Sequence, residues 1–318
     1  MPRTILIDTD TASDDAVALI MALRSTAVRV AAITTVAGNV PVEQATRNAL
    51  YTVELCGAPT PVFMGCGEPS TRPLEDATWF HGQDGLGDQG YPPPKRAPES
   101  LHAVEAIIET VRANPGIELV TLGPLTNVAM ALKRAPALAA NISRCVIMGG
   151  NPCCAGNVTP AAEYNMWVDP DAARIVVRRG LPIELVGWQL CRGEAVLHAR
   201  DIAEARALNT ATAKFAIACN ATAQAAYLRQ TGEVGISLPD PVAMSVALDP
   251  TIAVEAGSHH IDVEASSELT RGMTVIDQLN AWSNPRNRHT WALTNPARVI
   301  WKIDVARWKA ALFAALAA

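Results

Sequence analysis

Short apolar runs and amphipathic stretches alternate along most of this chain. Residues 4–7 form a compact apolar run that ends in acids, the pattern of a strand buried on both faces of a parallel sheet. Residues 14–23 predict a helix with acids in its first turn, where the helix dipole favours negative charge. A second strand is expected over 28–35 and a second helix over 42–55. The alternation lapses over residues 65–98, where prolines and glycines crowd around Trp79, Phe80 and His81. That stretch reads as a long exposed loop of the functional kind. The pattern resumes with a helix over 101–112, a strand over 117–122, a helix over 125–134 and a strand over 144–148. A helix over 170–179 and a strand over 183–186 follow. An alanine-rich helical stretch covers 202–228, broken near Asn209-Thr210, and residues 242–248 predict another helix. Short strands are expected around 252–276, then a strand over 299–303 and a helix over 305–316. With no repeat or linker in view, the expectation is one doubly wound α/β domain over residues 1–318. Its mostly parallel sheet is flanked by helices and binds ligands at the carboxyl ends of its strands.

Composition narrows the class of protein. At 318 residues with 49% hydrophobic and 18% charged positions, the chain can bury a large core, which argues against disorder. A formal charge of −5 supplies no basic footprint, so nucleic acid is not the expected partner. No apolar run reaches the length of a membrane span, and the amino terminus enters a strand-like segment without signal-peptide architecture. The seven cysteines include the adjacent pair Cys153-Cys154 but no C-x-x-C spacing. Free thiols in a reduced cytoplasmic protein fit this better than a disulfide framework or a zinc site.

The acids at the end of the first strand change the picture. Asp8-Thr9-Asp10-Thr11-Ala12-Ser13-Asp14-Asp15 sets four carboxylates within eight residues. The two-residue period puts Asp8 and Asp10 on one side of the strand, while Asp14 and Asp15 sit on the opening helical turn. Like charges so close repel unless a cation neutralises them, and an all-oxygen donor set suits calcium or magnesium. Helix capping by Ser13, Asp14 or Asp15 accounts for part of the cluster. A magnesium phosphohydrolase using Asp8 as nucleophile would carry a similar strand end, and spacing alone does not separate these readings.

Further motifs do. Asp8-x-Asp10-x-x-x-Asp14-Asp15 resembles the aspartate signature of the inosine–uridine preferring nucleoside hydrolases. The similarity continues through Gly38-Asn39, the His81-Gly82-x-Asp84-Gly85-Leu86-Gly87 segment and Gly123-Pro124-Leu125-Thr126-Asn127. It extends over Met148-Gly149-Gly150-Asn151, Gly156-Asn157-Val158-Thr159-Pro160, Glu163-Tyr164-Asn165, Asp169-Pro170, Asp240-Pro241 and Thr270-Arg271-Gly272, in the family's order. The resemblance implies a Rossmann-like α/β fold and hydrolysis of the N-glycosidic bond of ribonucleosides. It implies calcium held by Asp10, Asp15, Asp240 and the Thr126 carbonyl, with Asp10 also the general base. Asp14 and Asn39 would contact the ribose hydroxyls, and Glu163 and Asn165 the 5′ side of the sugar, with Asn157 nearby. A homodimer or homotetramer is implied as well. The chemistry agrees: departure of the base leaves positive charge on the sugar, which a carboxylate-lined pocket stabilises.

The chain departs from the family pattern at one point. Many members place a histidine before the last calcium-binding aspartate, where it protonates the leaving base, whereas here Leu238-Pro239-Asp240 puts proline there. Either His81 supplies the proton, or Trp79 or Phe80 stacks on a purine and raises the basicity of its N7, or the chain binds a ribonucleoside with little turnover. The expectation is a purine-leaning hydrolase with His81 and Trp79 at the base. Trp188, Cys191, His198 and Trp282 are expected to serve packing.

Overall fold

The computed structural model describes residues 2–318, apart from the side chains of residues 288 and 290. The first half alternates β1 (Arg3–Thr9), α1 (Ser13–Arg24), β2 (Val28–Thr35), α2 (Val42–Leu55), β3 (Val62–Met64), α3 (Thr78–His81), α4 (Ala103–Ala113), β4 (Ile117–Thr121) and α5 (Thr126–Arg134). Next come β5 (Ile142–Met148), α6 (Tyr164–Val168), α7 (Pro170–Val177), β6 (Ile183–Val186), α8 (Ala199–Ala207), α9 (Ala211–Ala218), α10 (Ala221–Thr231) and α11 (Pro239–Leu248). The chain ends with β7 (Ala253–Val263), β8 (Thr274–Asp277), α12 (Arg288–Trp291), β9 (Pro296–Ile303) and α13 (Val305–Ala317).

The strands make one nine-stranded sheet in the order β3-β2-β1-β4-β5-β6-β9-β7-β8. From β3 to β9 every pairing is parallel, and β7 pairs antiparallel with both β9 and β8. The α/β architecture with a mostly parallel sheet is as expected from the alternation. Side-chain alternation divides the core between the two faces. Ile5, Ile7, Val120 and Val146 pack against α1, α11 and α13, while Leu6, Leu119, Cys145 and Ile147 pack against α4, α5 and α7. The chain runs outward from β1 through β2 to β3, then returns to place β4 on the other side of β1. That reversal opens a crevice at the carboxyl ends of β1 and β4.

Four details differ from the sequence reading. The 65–98 segment carries the one-turn helix α3, and His81 and Leu86 within it are buried. It is therefore a packed lobe, held through Tyr91 on Tyr51 and Phe215. The alanine-rich stretch breaks twice, at the left-handed Asn209 and again at Cys219–Asn220, giving α8, α9 and α10. The region expected to hold short strands contains an eleven-residue strand, β7. Helix α11 opens at Pro239 rather than at residue 242, and Pro239 takes its first position, where the missing N–H costs nothing. Among the described residues no helix is long and apolar enough to cross a membrane.

Candidate functional site

β1 ends at Thr9, and the three residues before α1 turn the chain over the crevice. Asp10 lies in that turn, where the two-residue strand period no longer applies. Its Oδ2 accepts from the Asn39 N–H at 2.6 Å, and its Oδ1 is buried without a partner. Glycines surround it because nothing larger fits. A Cβ on Gly38 would stand 2.1 Å from Asp10 Oδ2, and one on Gly123 would stand 2.7 Å from Asp10 Oδ1.

Asp14 and Asp15 occupy the first turn of α1, and Asp240 is the second residue of α11. Carboxylate oxygens of Asp14, Asp15 and Asp240 lie within 4.8 Å of one another, all buried. Asp15 also caps α1: its oxygens accept from the Thr9 hydroxyl and, at 2.9 Å, from the Ala12 N–H. Capping and clustering thus coexist in one side chain, but capping leaves Asp10, Asp14 and Asp240 unexplained. Burial pushes Asp14 up to about 7, reinforced by the Asp15 charge. Asp10 and Asp240 stand well above the usual carboxylate range, first through burial and then through the charge of Asp15. A nest of converging, desolvated carboxylates with unpartnered oxygens on Asp10 and Asp14 fits a hard divalent cation, which would satisfy those atoms and lower all four pKa values.

Asp8 belongs elsewhere. Both Thr34 Oγ1 and Asn127 Nδ2 donate to its Oδ1, at 2.5 and 2.9 Å, and it does not line the cavity. Thr126 is likewise displaced from its expected role. It is the first residue of α5, its hydroxyl donates to Asp169 Oδ2 at 2.7 Å, and it is not on the cavity wall. The main chain that reaches the cluster is Leu122–Gly123, at the end of β4: Leu122 lines the cavity and Gly123 abuts Asp10.

Opposite the acids, α6 brings in Glu163 and Asn165. Glu163 is the N-cap of α6, accepting from the Asn165 N–H at 2.9 Å and the Gly150 N–H at 2.7 Å, and burial raises its pKa to about 7. Asn165 Nδ2 donates to the Leu122 carbonyl at 2.7 Å, joining α6 to the end of β4. Asn157 Oδ1 accepts from the Tyr164 N–H at 2.9 Å. Arg271, buried, stacks on Trp167, donates to its carbonyl and pairs with Glu75, so it ties α6 to the 65–98 lobe.

One cavity is bounded by Asp14, Asn39, Asn157, Glu163, Asn165 and Asp240, and also by Trp79 and His81. The structure thus gathers these sequence-nominated residues. Trp79 is 56% exposed, at the rim, with its ring edge-on to Phe80. His81 is buried: its Nδ1 is 2.9 Å from Ser13 Oγ and 3.8 Å from Asp14 Oδ1. Burial pulls the imidazole pKa down to about 3, which disfavours the imidazolium form. Sequence reasoning missed Asn220, Gln230 and Ser237, and set Trp188 aside as packing, yet all four line the cavity. An asparagine at a helix start and isolated Gln or Ser carry no local signal. Trp188 does both jobs, lining the cavity and packing edge-on to Tyr227. Cys191 is core, His198 caps α8, and Trp282 stacks on His260, all outside the cavity.

Comparison with known proteins shows the family. The family model described as inosine-uridine preferring nucleoside hydrolase matches residues 5–310. A pyrimidine-specific ribonucleoside hydrolase RihA from a Shewanella strain is 38% identical over 294 residues, covering 90% of this chain and 90% of that protein. The RihA of Salmonella agona is also 38% identical, over 90% of this chain and 92% of its own. Among solved structures, the plant nucleoside hydrolase PpNRh1 superposes with a TM-score of 0.94 at 31% identity over the whole of both chains. The purine-preferring ribonucleoside hydrolase from Gardnerella vaginalis does so at 0.89, with 31% identity over 99% of this chain and 98% of that one. This chain therefore belongs to the inosine–uridine preferring nucleoside hydrolase family.

Proposed function

We propose that this enzyme hydrolyses the N-glycosidic bond of ribonucleosides with calcium bound by Asp10, Asp15 and Asp240, and that it favours purines. The observation that carries the reading is the group of buried carboxylates of Asp14, Asp15 and Asp240, whose oxygens lie within 4.8 Å of one another with Asp14 and Asp240 on the cavity wall, beside Asp10 Oδ1 and Asp14 Oδ1, which are unpartnered. Calcium takes six to eight oxygen ligands, and the acids alone do not supply that many. The Leu122 carbonyl, rather than that of Thr126, is our candidate for a main-chain ligand, with sugar hydroxyls and water completing the set. When bound, the ion neutralises the acids and gathers the sugar diol and the attacking water.

The residues then divide the work. Asp10, ionised once a cation lowers its pKa, takes the proton from the attacking water. Asp14 and Asn39 hold the ribose hydroxyls, and Glu163, Asn165 and Asn157 orient the 5′ side, so that the anomeric carbon faces the water. As the bond breaks, the carboxylates stabilise the positive charge that develops on the sugar. With Pro239 unable to donate and the His81 pKa lowered by burial, leaving-group activation rests on Trp79 stacking over the base, which raises the basicity of N7 so that solvent water supplies the proton the base carries away. A purine presents the larger face and a basic N7. His81 is retained as a hydrogen-bonding partner of the base or of Asp14, not as an imidazolium acid. The magnesium phosphohydrolase alternative is disfavoured because its nucleophile would be Asp8, locked behind Thr34 and Asn127.

We further propose one domain over 1–318, a reduced cytoplasmic setting in keeping with the seven free cysteines, and a homodimer or homotetramer. The test is ribose release from inosine, adenosine, guanosine, uridine and cytidine, with and without a calcium chelator. Chelator-sensitive release that favours purines supports the reading. Equal rates on pyrimidines would sink the stacking account, and calcium binding without ribose release would favour a ribonucleoside-binding protein with little turnover.

A further inference from the structure

Asn220 is the N-cap residue of α10, at the second break in the alanine-rich stretch, and is completely buried. Its Nδ2 donates to the Ala216 carbonyl at 2.9 Å and to the Ser13 carbonyl at 3.3 Å. Both acceptors are main-chain oxygens, so the orientation of the amide is forced: the nitrogen faces them and Oδ1 points away. Oδ1 has no partner, although the residue lines the same cavity as Asp14 and His81. A buried carbonyl oxygen left unpaired is uncommon unless a ligand completes it.

The neighbours say which part of a ligand that is. Asn220, Ala223 and Gln230 come from α10, which packs on α3, the helix bearing Trp79 and Phe80. Trp188 adds a second aromatic wall next to α10 through Tyr227. These aromatic and aliphatic walls suit an aromatic ring better than a sugar. Of the other polar groups nearby, Ser237 Oγ donates to the Cys191 carbonyl, Gln230 Nε2 donates to the Asn157 carbonyl, and His81 Nδ1 pairs with Ser13. We infer that Asn220 determines specificity at the base, its Oδ1 accepting a hydrogen bond from a ring N–H of the nucleobase. The inference rests on the ribonucleoside reading above. The nucleobases it selects carry a ring N–H beside a carbonyl, as hypoxanthine, guanine and uracil do. Because Nδ2 grips the Ser13 carbonyl beside Asp14, the same amide also couples the base slot to the carboxylate cluster.

The experiment compares inosine with 1-methylinosine, and uridine with 3-methyluridine, in the wild type and in Asn220→Leu and Asn220→Ala. In the wild type the methylated substrates are expected to lose about tenfold in kcat/KM, the worth of one hydrogen bond. Asn220→Leu keeps the bulk but not the acceptor. It should slow the parent nucleosides about tenfold and leave the methylated ones nearly unchanged, the pattern of a shared interaction. Equal losses on methylated and parent substrates in both variants, with unfolding midpoints near that of the wild type, would overturn the inference. If the wild type released no ribose at all, the hydrolase reading would fall. Calorimetry of free hypoxanthine against 1-methylhypoxanthine would then judge Asn220 separately, and equal affinities would refute it.

Discussion

Asp10 combines two constraints, a partner N–H on Oδ2 and an empty, buried Oδ1. Asp10→Asn keeps the shape but cannot take a proton, so kcat for ribose release should fall about a thousandfold, with KM changing much less. A parallel loss in KM would mean that Asp10 acts mainly by holding the sugar. Trp79 poses a different question, since its exposed ring is free to cover a base. Trp79→Ala should lower the ratio of inosine to uridine turnover about tenfold, the worth of one stacking contact. An unchanged ratio would place purine selection elsewhere. At this scale the aspartates were legible, because a motif places them at a strand end and a helix start. Asn220 was not, because its meaning comes from the Ser13 carbonyl, two hundred residues away in the chain.

At the scale of elements, the 65–98 lobe brings Trp79, Phe80 and His81 to the cavity wall. Gly87 sits there at φ +75°, and a Cβ on it would stand 2.6 Å from the Cys219 carbonyl, immediately before Asn220. The atoms it would meet, in the Cys219 and Ala218 carbonyls, are main chain, so Gly87→Ala must push the lobe from the α9–α10 junction. We expect a loss of about 1–3 kcal/mol in denaturant unfolding, together with a rise in KM. A stable variant with normal KM would show that the lobe does not shape the base slot. The sequence pattern read this lobe as open loop because proline and glycine interrupt periodicity. Its order comes from contacts such as Tyr91 on Phe215, which join distant segments. Strands β1, β2, β4 and β6 and the helices beside them were legible, since burial on both sides writes a continuous apolar run. β3 has three residues and leaves no period to read.

Across the whole molecule, buried acid couples fold to ligand. Asp8, Asp14 and Glu163 each have pKa values raised to about 7 by burial. A carboxyl group with a raised pKa in the folded state binds its proton more tightly there than in the unfolded chain. Its contribution is full below the ordinary carboxylate range, near 4, and is lost as pH rises toward about 7. In chelator, the thermal midpoint should therefore fall between about pH 4 and pH 7, and calcium should flatten the decline at the upper end. A midpoint independent of pH in chelator would contradict the desolvated cluster. The alternation of apolar runs and amphipathic stretches determined the fold class, and the ordered motifs determined the family, because both are written in local periodicity and spacing. Only the tertiary structure showed that Asp8 is a buried acid held by Thr34 and Asn127, that Leu122 lines the cavity where Thr126 does not, and that Asn220 lines it too. Each of these depends on which distant groups consume a side chain's hydrogen bonds, and that is settled by packing across the sheet's switch point rather than by neighbours in the chain.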